Sequence, residues 1–351
     1  EREQRSTLVQ TAKLAAATAR VGRQGAKVLV PWGDPGFVWP LLRAGLSKDV
    51  VDGSGLDVPG FERIPERQLH EQSLHRLYWV RREYAKAGIP EPDLRFVEGI
   101  FVPTEPGAVS WREQMDIYHR WSLLSMAYGV KRFYSGWYDI DSSDSYGAEH
   151  YGGCGIRTKI PYAAPKPAYA AFATMTDRLN EANFDGWVST GSTSTFALRF
   201  ARADSRGWVY ALWTLRGTRP ATLTMSADGA VEVTDSMNNT RGARSEDRRV
   251  TVATGPSVTY VTTASPSLSV ASIAVGPPDH SDARPAEGAR LVADLGDASW
   301  AFTGERDFTL EGNHVAIMHY PGRFTARRTQ DAQRGAMLTS KLERPATPQD
   351  R

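Results

Sequence analysis

Apolar and polar positions in the first half of the chain follow two alternating periods. "STLVQTAKLAAATARV" sets Leu8, Ala12, Ala15 and Ala19 on one face at helical spacing, and "AKVLVP" follows as a short buried strand. "GFVWPLLRAGL" is a weaker helix interrupted at Pro40, and "VVDGSGLDV" reads as a strand running into a loop. "PERQLHEQSLHRLYWVRREYAKAG" predicts a long helix with Leu74, Leu77 and Tyr84 inward, Pro65 in its first turn and Gly88 as its stop. Then come the strand "DLRFVEG", the helix "SWREQMDIYHRWSLLSMAYG" with Ile117, Trp121, Leu124 and Tyr128 in register, the strand "VKRFYSGWYDI" and the helix "KPAYAAFATMTDRLN". Such alternation, joined by short links such as "AGIPEPD", predicts a parallel α/β sheet or barrel. About four strands are visible where a closed (β/α)8 barrel has eight, so the barrel reading requires sequence upstream of residue 1.

After residue 184 the period changes to two. "GWVSTGSTSTFALRFARADSRGWVYALWTLRG" and "PATLTMSADGAVEVTDSMNNTRG" alternate apolar and polar positions between Gly, Asn and Asp turns, as in an antiparallel β-sandwich. The expected organisation is α/β plus all-β: 1–183 the C-terminal half of a TIM-type barrel, 184–265 a β-sandwich, 266–288 a Ser/Pro/Ala-rich linker with room for one short strand, and 289–351 the start of a further β module.

Composition narrows the partners. With 42 basic and 40 acidic residues mixed along the chain, no basic stripe of the kind nucleic acid requires is present. No apolar run is long enough for a membrane span. The single Cys154 excludes an internal disulfide framework and a Cys-rich metal site. "EREQRSTLVQ" has no signal-peptide core, which leaves localisation open. Ten Trp and thirteen Tyr are the informative excess, several beside Gly, Asp or Pro in predicted loops.

In a parallel barrel the working side chains come from the C-terminal ends of strands and the loops after them. Read on this sequence, those ends are Trp32 and Asp34 in "VPWGDP", Asp52 and Asp57 in "VDGSGLD", Glu98 in "FVEG", and Trp137, Tyr138 and Asp139 in "SGWYDID". Acids and aromatics share each rim position, as a carbohydrate site requires: sugar rings stack on Trp and Tyr, and hydroxyls bond to carboxylates. Each residue also has an ordinary reading. Glu98 would serve in an ion pair to Arg95 or Arg132, Asp52 and Asp57 as turn caps, and Trp32 and Trp137 as packing. Glu105, inside the loop "TEPG", reads as solvent-exposed.

The run from "LRFVEG" through "EQMDIYHRWSLLSMAYGVKRFYSGWYDID" and "YGGCGI" to "PKPAYAAFATMTDRL" resembles the last two strand and helix units of clan A glycoside hydrolases. The resemblance covers about half the chain and rests on the order and spacing of its pieces: the Glu-Gln pair Glu113–Gln114, the "YGV" step, the aromatic Trp137 and the "PKPAY" step from Lys166 to Tyr169. It implies that Glu98 is the nucleophile of a retaining glycosidase. The partner acid/base would be a Glu following Asn on an earlier strand, and neither Glu1 nor Glu3 follows Asn, so it is expected upstream of residue 1 or on another polypeptide. Localisation stays open, and the substrate class alone favours a secreted or periplasmic one.

No cofactor or metal is expected. His70 and His75 lie five apart, the wrong spacing for two ligands on one helix face. Asp139, Asp141 and Asp144 in "DIDSSDSYG" suit calcium only as a minor reading, since an acidic rim loop is more often solvated. "YGGCGI" lacks the Lys-Ser/Thr of a phosphate loop and reads as a tight turn, and no strand leads into a dinucleotide glycine fingerprint. The alternative to an enzyme is a non-catalytic carbohydrate-binding or scaffold protein with a degenerate barrel.

Overall fold

A computed structural model describes residues 2–32, 35–56, 65–66, 73–96, 102, 104, 109–132, 139–143, 152–192, 194–203, 206–215, 217–277, 300–304, 308–311, 314–317, 322–328 and 338–342. The chain divides into two compact units, Glu1–Asp177 and Arg178–Arg351. The division falls inside a helix rather than at the expected residue 183. No described helix is long and apolar enough to cross a membrane.

The first unit alternates α1 (Arg2–Gly22), β1 (Leu29–Trp32), α2 (Pro35–Arg43), β2 (Gly53–Leu56), α3 (Ser73–Lys86), β3 (Asp93–Phe96), α4 (Trp111–Ala127), β4 (Val130–Arg132) and α5 (Pro167–Leu179). The four strands form one sheet in the order β1-β2-β3-β4, every pair parallel. Each strand-to-strand step crosses over through a helix, as parallel neighbours require. Register aligns Val30, Ser54, Leu94 and Val130 in one row and Trp32, Leu56 and Phe96 in the next. Leu56, Leu94 and Phe96 are fully buried, and the Ser54 hydroxyl meets the Tyr84 hydroxyl of α3, so this face lies against the helices. Gly53 is obligatory there: a Cβ would stand 2.0 Å from the Asp93 carbonyl oxygen.

Helix ends follow local chemistry. Ser110 and Glu113 form a complete capping box at the start of α4, each side chain bonding the other's backbone N–H. Gly88 ends α3 at φ 83°, where Ile89 N donates to Tyr84 O across 2.9 Å. The face expected for α1 is corrected: Val9 and Ala16 are buried, Ala12 is half-buried, and Leu8 is 48% exposed. An Ala-rich helix offers too little contrast between faces to fix its rotation from sequence. Helix α4 also departs from a one-sided pattern, because every residue from Gln114 to Ser125 is buried.

In the second unit, β5 (Ala182–Trp187), β6 (Thr195–Arg202), β7 (Trp208–Thr214), β9 (Ala230–Thr234), β10 (Thr240–Arg244) and β12 (Thr259–Thr263) form a six-stranded antiparallel sheet in the order β10-β9-β12-β7-β6-β5. A second sheet, β11-β8-β13, contains β8 (Arg219–Met225), β11 (Arg249–Thr254) and β13 (Val270–Val275). Alternate residues of both sheets enter one core, with Tyr210, Leu212 and Val261 facing Leu223, Val252 and Ile273. Strand β13 falls within the segment read as a linker, so the sandwich extends past residue 265. Further on, β14 (Trp300–Gly304), β17 (Gly322–Arg328) and β18 (Leu338–Leu342) form a three-stranded sheet, and β15 (Phe308–Glu311) pairs with β16 (His314–Ile317).

Candidate active site

The carboxyl ends of β1 to β4 all lie on one edge of the parallel sheet, the edge on which such folds carry their chemistry. Trp32 closes β1 opposite Leu56. Phe96 closes β3, and Glu98 follows two residues later in sequence; Glu98, Asp34, Asp57, Trp137 and Tyr138 lie outside the described residues.

Two expected rim residues stand elsewhere or are already engaged. Asp52 precedes β2 and therefore sits at the amino end of the sheet, opposite the rim. Its Oδ2 accepts from Val28 N at 2.7 Å and from Arg20 Nη2 at 3.4 Å, which makes it a joint between α1, β1 and β2. The error arose in "VVDGSGLD", where a glycine-rich strand begins one residue after the acid that appeared to end it. Asp139 follows β4 by seven residues in sequence; its carboxylate pairs with Arg157 and its carbonyl accepts from Ile156 N and Arg157 N. Nearby at the amino end, Arg95 grips Asp93 through Nε at 3.0 Å and Nη2 at 2.8 Å, and Lys27 adds a third contact at 3.0 Å. The Arg95 guanidinium holds the Asp93 carboxyl well below the usual carboxylate range.

The main feature of the rim is a buried polar junction, and sequence reasoning missed it. Lys166, just before α5, has a fully buried side chain whose Nζ lies 2.8 and 2.7 Å from the two carboxylate oxygens of Asp141. The same ammonium donates to Thr104 Oγ1 at 3.0 Å and to Gly153 O at 3.1 Å. Gly153 O accepts three further bonds, from Thr104 N at 3.1 Å, Thr104 Oγ1 at 3.2 Å and Gln114 Nε2 at 3.2 Å. Gln114 also donates to Val102 O at 2.7 Å, and the Tyr118 hydroxyl donates to Cys154 O at 2.6 Å. The junction thereby ties the segment after β3 to the segment after β4, with α4 and α5 as its supports.

Glycines permit this closeness. Gly153 takes φ 74°, and a Cβ on Gly155 would lie 2.6 Å from Asp141 N, whose own carboxylate accepts from Gly155 N at 2.8 Å. "YGGCGI" is thus more than a tight turn, and its cluster of glycines was the available signal. Lys166 stood out only as part of the "PKPAY" step, and nothing marked it as buried, because lysines are seldom fully buried.

Burial sets the electrostatics of this region. It pulls the Lys166 ammonium down from its usual value, a shift opposed by the Asp141 carboxylate. It pushes the Tyr118 phenol well above its ordinary value and pulls the His119 imidazole down to about 3, with Arg120 adding to the latter. Arg120 is in turn paired with the buried Glu66 at 2.9 Å. Among the described residues no group of three or more His, Cys, Asp or Glu is arranged to hold a metal ion. Asp141, one of the acids weighed for calcium, is committed to Lys166. Among the described residues the Lys166 ammonium, the Asp141 carboxylate and the Gln114 amide of this junction bond to one another or to the backbone of the segments they join.

No family model matches the chain, and no curated protein matches it in sequence. Among solved structures, a family 39 glycoside hydrolase from the gut symbiont Bacteroides cellulosilyticus WH2 aligns with a TM-score of 0.53 at 16% identity, over 73% of this chain and 54% of that one. The fold is one that a glycoside hydrolase uses. Weaker likenesses are to an α-L-arabinofuranosidase from Thermotoga maritima (TM-score 0.46, 12% identity, 74% of this chain and 62% of that one) and a glucosidase from Croceicoccus marinus (0.44, 13%, 72% and 63%). The fold comparison rests on the first. This chain spans about half the length of that glycoside hydrolase.

Proposed function

We propose that this chain is the C-terminal half of a retaining glycoside hydrolase acting on an oligo- or polysaccharide, with Glu98 as nucleophile. The observation that carries the reading is the sheet: four parallel strands in sequential order, with Glu98 following the carboxyl end of the third, in a fold shared with a family 39 glycoside hydrolase. In the proposed barrel these are strands five to eight, and the sandwich follows. Glu98 attacks the anomeric carbon, the leaving oxygen takes a proton from the second carboxylic acid, and water then cleaves the glycosyl ester. The substrate-facing residues proposed beside it are Trp32, Asp34, Asp57, Trp137, Tyr138 and Asp139.

The acid/base is assigned to strands that precede β1. Two features of the described residues support a preceding half-barrel. Strand β1 is an edge of its sheet, and the outward side of α1 leaves Leu14 71% and Val21 90% exposed. Both surfaces suit a further parallel strand and helix. Retaining chemistry would then bring the second carboxyl to roughly 5–5.5 Å from Glu98.

The test is Glu98→Gln in the complete gene product, assayed on a panel of aryl glycosides and polysaccharides. The expected result is loss of turnover with sugar binding retained, together with labelling of the Glu98 peptide by a fluorinated sugar inactivator in the parent protein. Undiminished turnover in the variant would refute the nucleophile assignment, and sugar binding without turnover in the parent protein would point to the non-catalytic alternative.

A further inference from the structure

A fully buried lysine is uncommon, and one that donates to both loops of a candidate site calls for a reason beyond stability. A buried ion pair is a weak source of stability, because the desolvation of both charges offsets their attraction; its best-attested use is to specify one arrangement among several. Here the arrangement specified is that of two loops. The segment leaving β3 is anchored upstream by the fully buried Phe96 and downstream by Val102 and Thr104, and each downstream anchor ends on the junction. The segment leaving β4 is anchored at Asp141 and at Gly153, both on the same ammonium.

We infer that Lys166 is a positioning residue: paired with Asp141, it locks Thr104 after β3 to Asp141 and Gly153 after β4, and so constrains the stretch of chain that carries Glu98 in sequence. This rests on the glycosidase reading. Lysine suits the task because three N–H bonds diverge from one point charge, and all of them are used here, on Thr104, Asp141 and Gly153. Thr104 passes the constraint on, since its hydroxyl accepts from Lys166 and donates to Gly153 O. Glu98 lies on the short stretch between the two anchors, so a loosened junction changes its reach without removing it. Displacement of a reacting group by about 1 Å is enough to cost on the order of 100-fold in rate.

The experiment uses the complete gene product and compares Lys166→Met, Lys166→Arg and Thr104→Val with the parent. Expected for Lys166→Met is a fall in kcat of about 10- to 100-fold with KM within about threefold, and faster amide exchange confined to peptides spanning 97–110 and 151–157. Thr104→Val keeps the ion pair, so it folds even if Lys166→Met does not; its kcat should fall by a smaller factor with the same local exchange pattern. Lys166→Arg should recover part of the loss, because charge is kept while the geometry of the donors changes. Unchanged kcat in Lys166→Met, or a fall accompanied by faster exchange throughout both units, overturns the positioning role. Glu98→Gln run alongside separates the two readings: if it retains turnover the nucleophile assignment has failed, whereas if it is inactive and Lys166→Met is fully active, only the positioning inference has failed.

Discussion

The interior of the sandwich and the junction at the parallel rim solve the same problem of joining separate segments, by opposite means. Leu212, Leu223, Val233, Val252 and Ile273 join two sheets through apolar contact that any well-shaped side chain can supply. At the rim Lys166, Asp141, Gln114, Thr104 and Tyr118 join two loops through bonds that each demand one partner at one distance. Apolar packing tolerates repacking; a buried charge network does not, and half-satisfied it is worse than none. Directional bonds thus join two irregular segments at the rim, and apolar packing joins two regular sheets in the sandwich.

The contrast can be broken most sharply by paired substitutions. Asp141→Ala leaves the Lys166 ammonium buried without its carboxylate and should cost about 3–5 kcal/mol, measured by urea unfolding. Replacing both partners, Lys166→Met with Asp141→Leu, should recover most of that stability. Leu223→Ala in the sandwich should cost about 2–5 kcal/mol through the cavity it opens, with no such rescue by a second deletion. A cost below about 1 kcal/mol for Asp141→Ala would erase the distinction.

Acid sharpens the comparison next. His119 is held at about 3 against an ordinary value of 6.5, so the unfolded chain binds its proton first as pH falls. Its contribution to stability is complete above pH 6.5 and is lost progressively down to about 3, with a slope of up to about 1.4 kcal/mol per pH unit. Asp93, also lowered, adds a loss that begins only as pH drops through its ordinary value of 3.8. Amide exchange at pH 5 should therefore rise in α4 before it rises in β6 and β7, and His119→Gln should flatten the dependence. The smallest effect is at the α4 cap, where Ser110→Ala should cost about 1 kcal/mol and leave the sandwich untouched.

Much of the frame was legible in the chain. The strands and helices alternate in the order the periodicity gave and Gly88 stops α3 as expected, but α2 runs through Pro40 rather than being interrupted there, and α3 is described from Ser73 rather than from Pro65. What escaped was set by tertiary contact. Polar Asp116, His119 and Arg120 hid the all-round burial of α4, since sequence alone reads such residues as a solvated face. Strand β13, built from "VASIAV", is the one short strand for which the Ser- and Pro-rich stretch left room; what escaped is that it pairs with β8 and so belongs to the sandwich. Asp52 was misplaced because "GSGL" has no side-chain alternation from which to count. Of the rim network only the glycine cluster of "YGGCGI" left a trace in the sequence, because its partners come from separated stretches of chain and meet only once folded.

One ammonium holding both Asp141 and Gly153 acts as a non-covalent staple across the mouth of the stretch between them. With its ends pinned, that stretch can be lengthened or exchanged at a closure cost that grows only with the logarithm of its length. For protein engineering, residues 142–152 are thus the natural place to graft a foreign loop, provided that the two anchor points and Lys166 travel unchanged.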